Sequence, residues 1–167
     1  MVRLKGGFDG EGDPMSAPSR GRRLGVDVGK VRVGVAISDP DGILATPLVT
    51  VARDMGAAPD AVPGDIVELV RLVGEHEAVG IVVGLPVRLN GAEGPAAIDI
   101  RAYAGRLAEA VGTVPVVLAD ERMSTVVATR RLAERGVRGK RQRAVVDQAA
   151  AVEILQSWLD AQRRQTR

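Results

Sequence analysis

The constraint that narrows the fold of this chain most is the stretch 22–51, where three short apolar runs are separated by two tight turns. Arg22 to Val28 forms the first run. Val31, Val33, Val35 and Ile37 then alternate with Arg32, Gly34, Ala36 and Ser38, the two-residue period of a strand with one face buried. Between these runs Gly29-Lys30 predicts a two-residue turn. Asp39-Pro40-Asp41-Gly42 predicts a second turn, because proline presets its second position and glycine accepts positive φ. A third strand is expected over Ile43 to Val51. Strands this close in sequence can be joined only by hairpins, so the three form an antiparallel meander.

After a loose linker over 52–64, with two prolines and two glycines, the periodicity changes. Ile66, Leu69, Val70 and Val73 recur at helical spacing and predict a helix over Asp65 to Glu77. Val79 to Gly84 reads as a buried strand, Pro95 to about Gly112 as a helix with proline in its first turn, and Val114 to Ala119 as a fifth strand. Helices over Met123 to Arg135 and Ala144 to about Ala161 complete the pattern, the first capped by Ser124 or Thr125 and stopped by Gly136, with a basic loop between them. The order β-β-β-α-β-α-β-α-α predicts an α/β fold: one mixed five-stranded sheet, three antiparallel strands followed by two parallel ones, flanked by helices on both faces. Residues 1–21 are expected to be a disordered leader, 22–162 a single domain, and 163–167 a disordered tail.

Composition excludes several chemistries. Zero cysteines remove disulfides, thiol catalysis, zinc-thiolate sites and iron-sulfur clusters. No run approaches the roughly 18 unbroken apolar residues of a membrane span, and the N-terminus lacks the apolar core of a signal peptide, so a cytoplasmic protein is expected. The aromatic residues Phe8, Tyr103 and Trp158 are too few for a single-strand binder built on base stacking. Between Arg130 and Arg143 seven basic residues stand against one acid, Glu134, a layout that suits either a solvated surface or a phosphate-binding stretch.

Three acids attract notice. In Leu24-Gly-Val-Asp-Val-Gly29 the strand period puts Asp27 on the face of Gly25 and Gly29, cleared of side chains. A carboxylate there needs an ion, or bonds from an arginine or from turn amides. Asp147 shares its helical stripe with Ala150, Ala151, Ile154 and Trp158, so it either points at the sheet or serves as a first-turn acid on the helix dipole. Asp120-Glu121-Arg122 follows the fifth strand directly, and either acid could reach the same cleft unless the pair is only the usual acidic start of a helix; Glu121, with its longer reach, is the preferred ligand, with Asp120 as its alternative or as the partner of Arg122 or the Ser124/Thr125 cap. Three acids on separate elements, no cysteine and one histidine favour a hard cation, Mg²⁺ or Mn²⁺, over zinc. A pair of such ions activates water and stabilises the leaving oxygen of a phosphodiester without a side-chain nucleophile. His76, in a Glu-His-Glu setting, reads as a surface residue.

Together these segments resemble the YqgF/RuvX family, described as pre-16S rRNA nucleases and as Holliday junction resolvase-like. The matching stretches are Leu24 to Gly29 with Arg32 to Asp39, Ala45-Thr-Pro47, Val82 to Pro86 with Asn90-Gly91, Asp120-Glu-Arg-Met-Ser-Thr125, and Asp147-Gln-Ala-Ala150 with Ile154-Leu-Gln156. The resemblance implies an RNase H-like fold and metal-dependent phosphodiester cleavage, with Asp27, Glu121 and Asp147 as the catalytic carboxylates. It also implies a nucleic-acid substrate, in pre-16S rRNA maturation or in branched-DNA resolution, where paired cuts would call for a homodimer. The expected backbone contacts are Lys30, Arg32, Arg122, Arg138, Lys140, Arg141 and Arg143. The family often has Thr-Lys after the first-strand glycine, where this chain has Lys30-Val31, which leaves Lys30 itself to serve. Two rival readings are a nucleic-acid or ribosome-binding protein that kept the fold without cutting, and an ATP-binding relative of the actin and sugar-kinase group. Asp27-x-Gly29 suggests the second, but no second phosphate loop is evident.

Overall fold

Alternating side chains on two adjacent hairpins give the sheet its two unlike faces. In the computed structural model, which describes residues 20–87, 90–121 and 139–167, strands β1 (Arg23–Val28), β2 (Arg32–Ser38) and β3 (Ala45–Ala52) form the expected meander. Helix α1 (Gly64–Glu75) leads to β4 (Gly80–Leu85), and α2 (Pro95–Val111) leads to β5 (Val116–Asp120). Helix α3 (Lys140–Gln165) closes the chain. The strand order is β3-β2-β1-β4-β5, with β1 antiparallel to β2 and parallel to β4. This is the mixed five-stranded sheet expected above, three antiparallel strands followed by two parallel ones. The helix expected over Met123 to Arg135 lies outside the described residues.

One face is an ordinary apolar core. Leu24, Val26, Val33, Val35, Ile81 and Val83 pack there against Ile66 and Leu69 of α1 and Ala104 and Leu107 of α2. The other face carries α3, whose Ala150, Ala151, Ile154 and Leu155 meet Ala36, Ala45 and Val82. Here glycines set the distance between layers. A Cβ at Gly25 would lie 2.6 Å from Leu155 Cβ, and one at Gly34 only 2.1 Å from the Asp147 carbonyl oxygen. At Gly84 it would meet Ile154 Cδ1 at 2.5 Å. Three strands thus give up a side chain so that α3 can press its backbone onto the sheet.

Several boundaries differ from expectation. Strand β3 starts at Ala45 rather than Ile43, because the Asp39 carboxylate accepts the Ile43 and Leu44 amides at 2.8 and 2.7 Å and withholds them from the ladder. The Leu44 amide and its neighbours hold that carboxyl below its usual pKa. Helix α3 starts at Lys140 rather than Ala144, so the end of the expected basic loop is already helical. Gly139, at φ 88°, takes the left-handed conformation just before it, and Lys, Arg and Gln are good helix formers. At the other end α3 runs to Gln165, into the expected tail, where Arg163 donates to the Gly42 and Ile43 carbonyls at 3.1 and 2.8 Å.

A buried polar network ties the helices of the apolar face to the β1–β2 turn. Asp65 of α1, 2% exposed, accepts the Tyr103 hydroxyl of α2 at 2.7 Å. Burial, and then the Asp65 carboxylate, push that phenol far above its usual pKa, so it remains a donor. The Arg53 guanidinium lies 5.1 Å over the Tyr103 ring and donates to the Gly29 carbonyl at 3.2 Å. Gly29 N–H donates in turn to the Arg32 carbonyl at 2.9 Å, closing the turn around Lys30 and Val31, one residue later than expected.

Gly34→Ala should therefore destabilise the protein by about 1–3 kcal/mol, since a rigid backbone oxygen stands where the methyl would go. Gly74→Ala, on open helix surface, should be neutral or stabilising. Urea unfolding of both variants checks this; an unchanged midpoint for Gly34→Ala would contradict the close approach of α3. Tyr103→Phe should cost about 1–2 kcal/mol by leaving a buried carboxylate short of a donor. A variant as stable as the parent would show that the Asp65 network holds nothing.

Candidate active site

The strand period that buries Leu24 and Val26 under α1 and α2 turns Asp27 toward α3. Asp27 pairs across the sheet with Gly34, and Gly34 is the residue under the Asp147 carbonyl. The Asp27 residue is only 4% exposed. On its other side β4 presents Gly84, and Glu121 Oε1 lies 2.8 Å from where a Gly84 Cβ would stand. Glu121, 5% exposed, thus leans from the end of β5 back over β4 on the α3 face. The row of small residues at this level, Gly34, Gly84 and the Gly84 partner Ala119, has Asp27 as its acid.

Asp120 belongs elsewhere. It is the register partner of Leu85, whose side chain is in the α1/α2 core, so alternation carries Asp120 to the opposite side from Glu121.

Asp147 enters from above. Thr50 of β3, the register partner of Gly34, donates its hydroxyl to the Ala144 carbonyl at 2.9 Å and accepts the Gln148 amide at 3.0 Å. These two bonds clamp the turn of α3 that carries Asp147. The carboxylate faces the sheet side, with 20% of its side chain exposed, and it accepts Arg32 Nε at 2.8 Å. Arg32 was read as a backbone contact; in this structure it pairs with Asp147. Asp27, Glu121 and Asp147 therefore share one patch without closing on one another. Among the described residues no group of three acidic or histidine side chains is close enough to hold a metal ion.

The other expected contacts scatter around this patch. Lys30 is exposed in the β1–β2 turn, and Arg141 and Arg143 are exposed on the first turns of α3. Lys140 begins that helix, whereas Arg122 and Arg138 lie outside the described residues. His76 follows α1 at its C-terminus, away from the acids. Sequence reasoning missed Arg53, Asp65 and Tyr103, the network that holds the Gly29 carbonyl, and Thr50 and Gln148, which seat α3. Arg53 lies in the loose linker, and Asp65 stands only as the first residue of the expected helix. No signal in the sequence connected them.

The sequence model of the family described as "RuvX: Holliday junction resolvase" matches residues 21–161. A protein of Rhodococcus erythropolis named "Putative pre-16S rRNA nuclease" is 52% identical over 164 residues, 98% of this chain and 90% of its own length. Proteins of the same name from Nocardia farcinica and Mycolicibacterium paratuberculosis are 53% and 54% identical, covering 89% and 95% of this chain and 82% and 92% of their own. Among solved structures, Thermus thermophilus RuvC in complex with a Holliday junction substrate aligns at a TM-score of 0.49 and 15% identity, over 86% of this chain and 96% of that one. No helix among the described residues is long and apolar enough to cross a membrane. On the extent of the family match and the identity to these full-length relatives, the chain belongs to the RuvX family.

Proposed function

We propose that this chain, a phosphodiester hydrolase by family, is an endonuclease that cuts structured nucleic acid with Mg²⁺ or Mn²⁺ held by Asp27, Glu121 and Asp147. The observation that carries the reading is the meeting of Asp27, Glu121 and the Asp147 turn on one patch cleared by Gly34 and Gly84. The donor set fits a hard cation. All three are carboxylates, two of them buried, and the missing Cβ of Gly84 leaves the room that Glu121 uses. Such an ion, when bound, supplies Lewis-acid polarisation of a phosphate and lowers the pKa of an attacking water.

The protein's own residues do the positioning. Asp27 is fixed by its ladder pairing with Gly34 of β2, one residue beyond the last β1–β4 pair, and Glu121 by its place directly after β5, so two oxygen donors are set before any substrate arrives. Asp147 adds the third from a helix clamped by Thr50. Lys30, held in its turn through Arg53, together with Arg141 and Arg143, gives the substrate backbone a positive approach; Lys140, Arg122 and Arg138 are assigned to it from the sequence alone. The names of the relatives favour processing of pre-16S rRNA as the task, and we place it at the 5′ end of the precursor, in the cytoplasm. Branched DNA is the second substrate, suggested by the family description. Paired cuts across a junction would need two copies of the chain.

Asp27→Asn, Glu121→Gln and Asp147→Asn should each reduce cleavage by about a hundredfold or more, whereas Asp120→Asn should retain most of it. Assays on precursor rRNA and on junction DNA with Mg²⁺ or Mn²⁺ check this. Retained cleavage in Asp27→Asn or Asp147→Asn would overturn the site. Tight binding of structured RNA with no cleavage under any metal would instead support the non-catalytic reading.

A further inference from the structure

The Arg32 and Asp147 side chains come from elements far apart in the chain, yet they meet at 2.8 Å beside the proposed ion site. Arg32 stands two residues before Gly34 on β2, so strand alternation puts it on the same face, one row closer to the Lys30 turn. Three ionised carboxylates on one patch repel one another, and a positive charge among them offsets that cost. Here the guanidinium is the positive charge next to Asp147. The pair keeps 27% and 20% side-chain exposure, which leaves water access and a bond weak enough to be exchanged.

We propose that Arg32 is a built-in cation latch. Its pairing with Asp147 withholds that acid from Asp27 and Glu121. A divalent ion competes for the same carboxylate and displaces the guanidinium, which is then free to pair with a phosphate of the substrate backbone. Arg32 thus links loading of the ion to capture of the substrate. This inference rests on the carboxylate site proposed above.

The test is Mn²⁺ titration of the full chain by calorimetry. Arg32→Gln, which removes the competitor, should bind Mn²⁺ about five- to tenfold more tightly than the parent. Its melting temperature should fall in chelator and recover when Mn²⁺ is added. In an Asp147→Asn background the same change should leave the Mn²⁺ affinity unaltered, since the latch then has nothing to hold. Equal or weaker Mn²⁺ binding by Arg32→Gln, with Asp147→Asn alone weakened, would overturn the latch and spare the site. Asp147→Asn binding Mn²⁺ as well as the parent would instead remove the site itself. The unmutated protein gives an independent reading. With labelled arginine, the Arg32 Nε–H proton should exchange slowly without metal and faster once Mg²⁺ is added. Unchanged exchange would overturn the latch even if the variants fail to fold.

Discussion

Everything at the candidate site depends on how closely α3 lies against the sheet. A helix resting on ordinary side chains sits far enough away that an acid on the strand and an acid on the helix would be separated by a layer of apolar groups. Here Gly25, Gly34 and Gly84 remove that layer, and the α3 backbone descends until the Asp147 carbonyl stands directly over Gly34. The same contact brings Asp27, the cross-strand partner of Gly34, under the helix. The acids share a patch because the glycines allow it. A chain with alanines at these positions would keep its strand order and lose its site.

The two faces of the sheet divide the work. The α1/α2 face is an apolar core that fixes the strands, and a buried polar network within it reaches out to the Gly29 carbonyl through Arg53. The α3 face is built of small residues on the sheet side and holds the candidate site. Glu121 needs no element of its own, since β5 ends where its side chain can lean back over β4. Rigid strands thus hold two of the acids. The third comes from a helix seated by hydrogen bonds to Thr50 and, at its far end, by Gln156 binding the Ala45 amide and the Ile43 carbonyl.

Much of this was legible in the sequence, for reasons that differ by residue. The two-residue period of β1 is strict, so the facing of Asp27 followed from counting. The meander followed from turn chemistry that few alternatives satisfy. The preference for Glu121 over Asp120 followed from reach, and strand register supplies a firmer reason, since neighbouring residues face opposite ways. The starts of β3 and α3 were misjudged because both depend on single backbone bonds and on one glycine conformation, which local propensity does not report. The role of Arg32 was hidden for a stronger reason. An arginine on a strand near a phosphate-binding turn reads as a substrate contact, and its pairing with Asp147 exists only once strands and final helix are assembled.

The account comes down to whether the three carboxylates can grip one ion between β1, β5 and α3. The most direct measurement is anomalous scattering from crystals of the protein grown or soaked with Mn²⁺. The account predicts a strong peak within about 2.2 Å of oxygens from Asp27, Glu121 and Asp147, with the Arg32 guanidinium moved off the Asp147 carboxylate. Saturating Mn²⁺ that leaves this patch without a peak and the Arg32–Asp147 pair intact would contradict it.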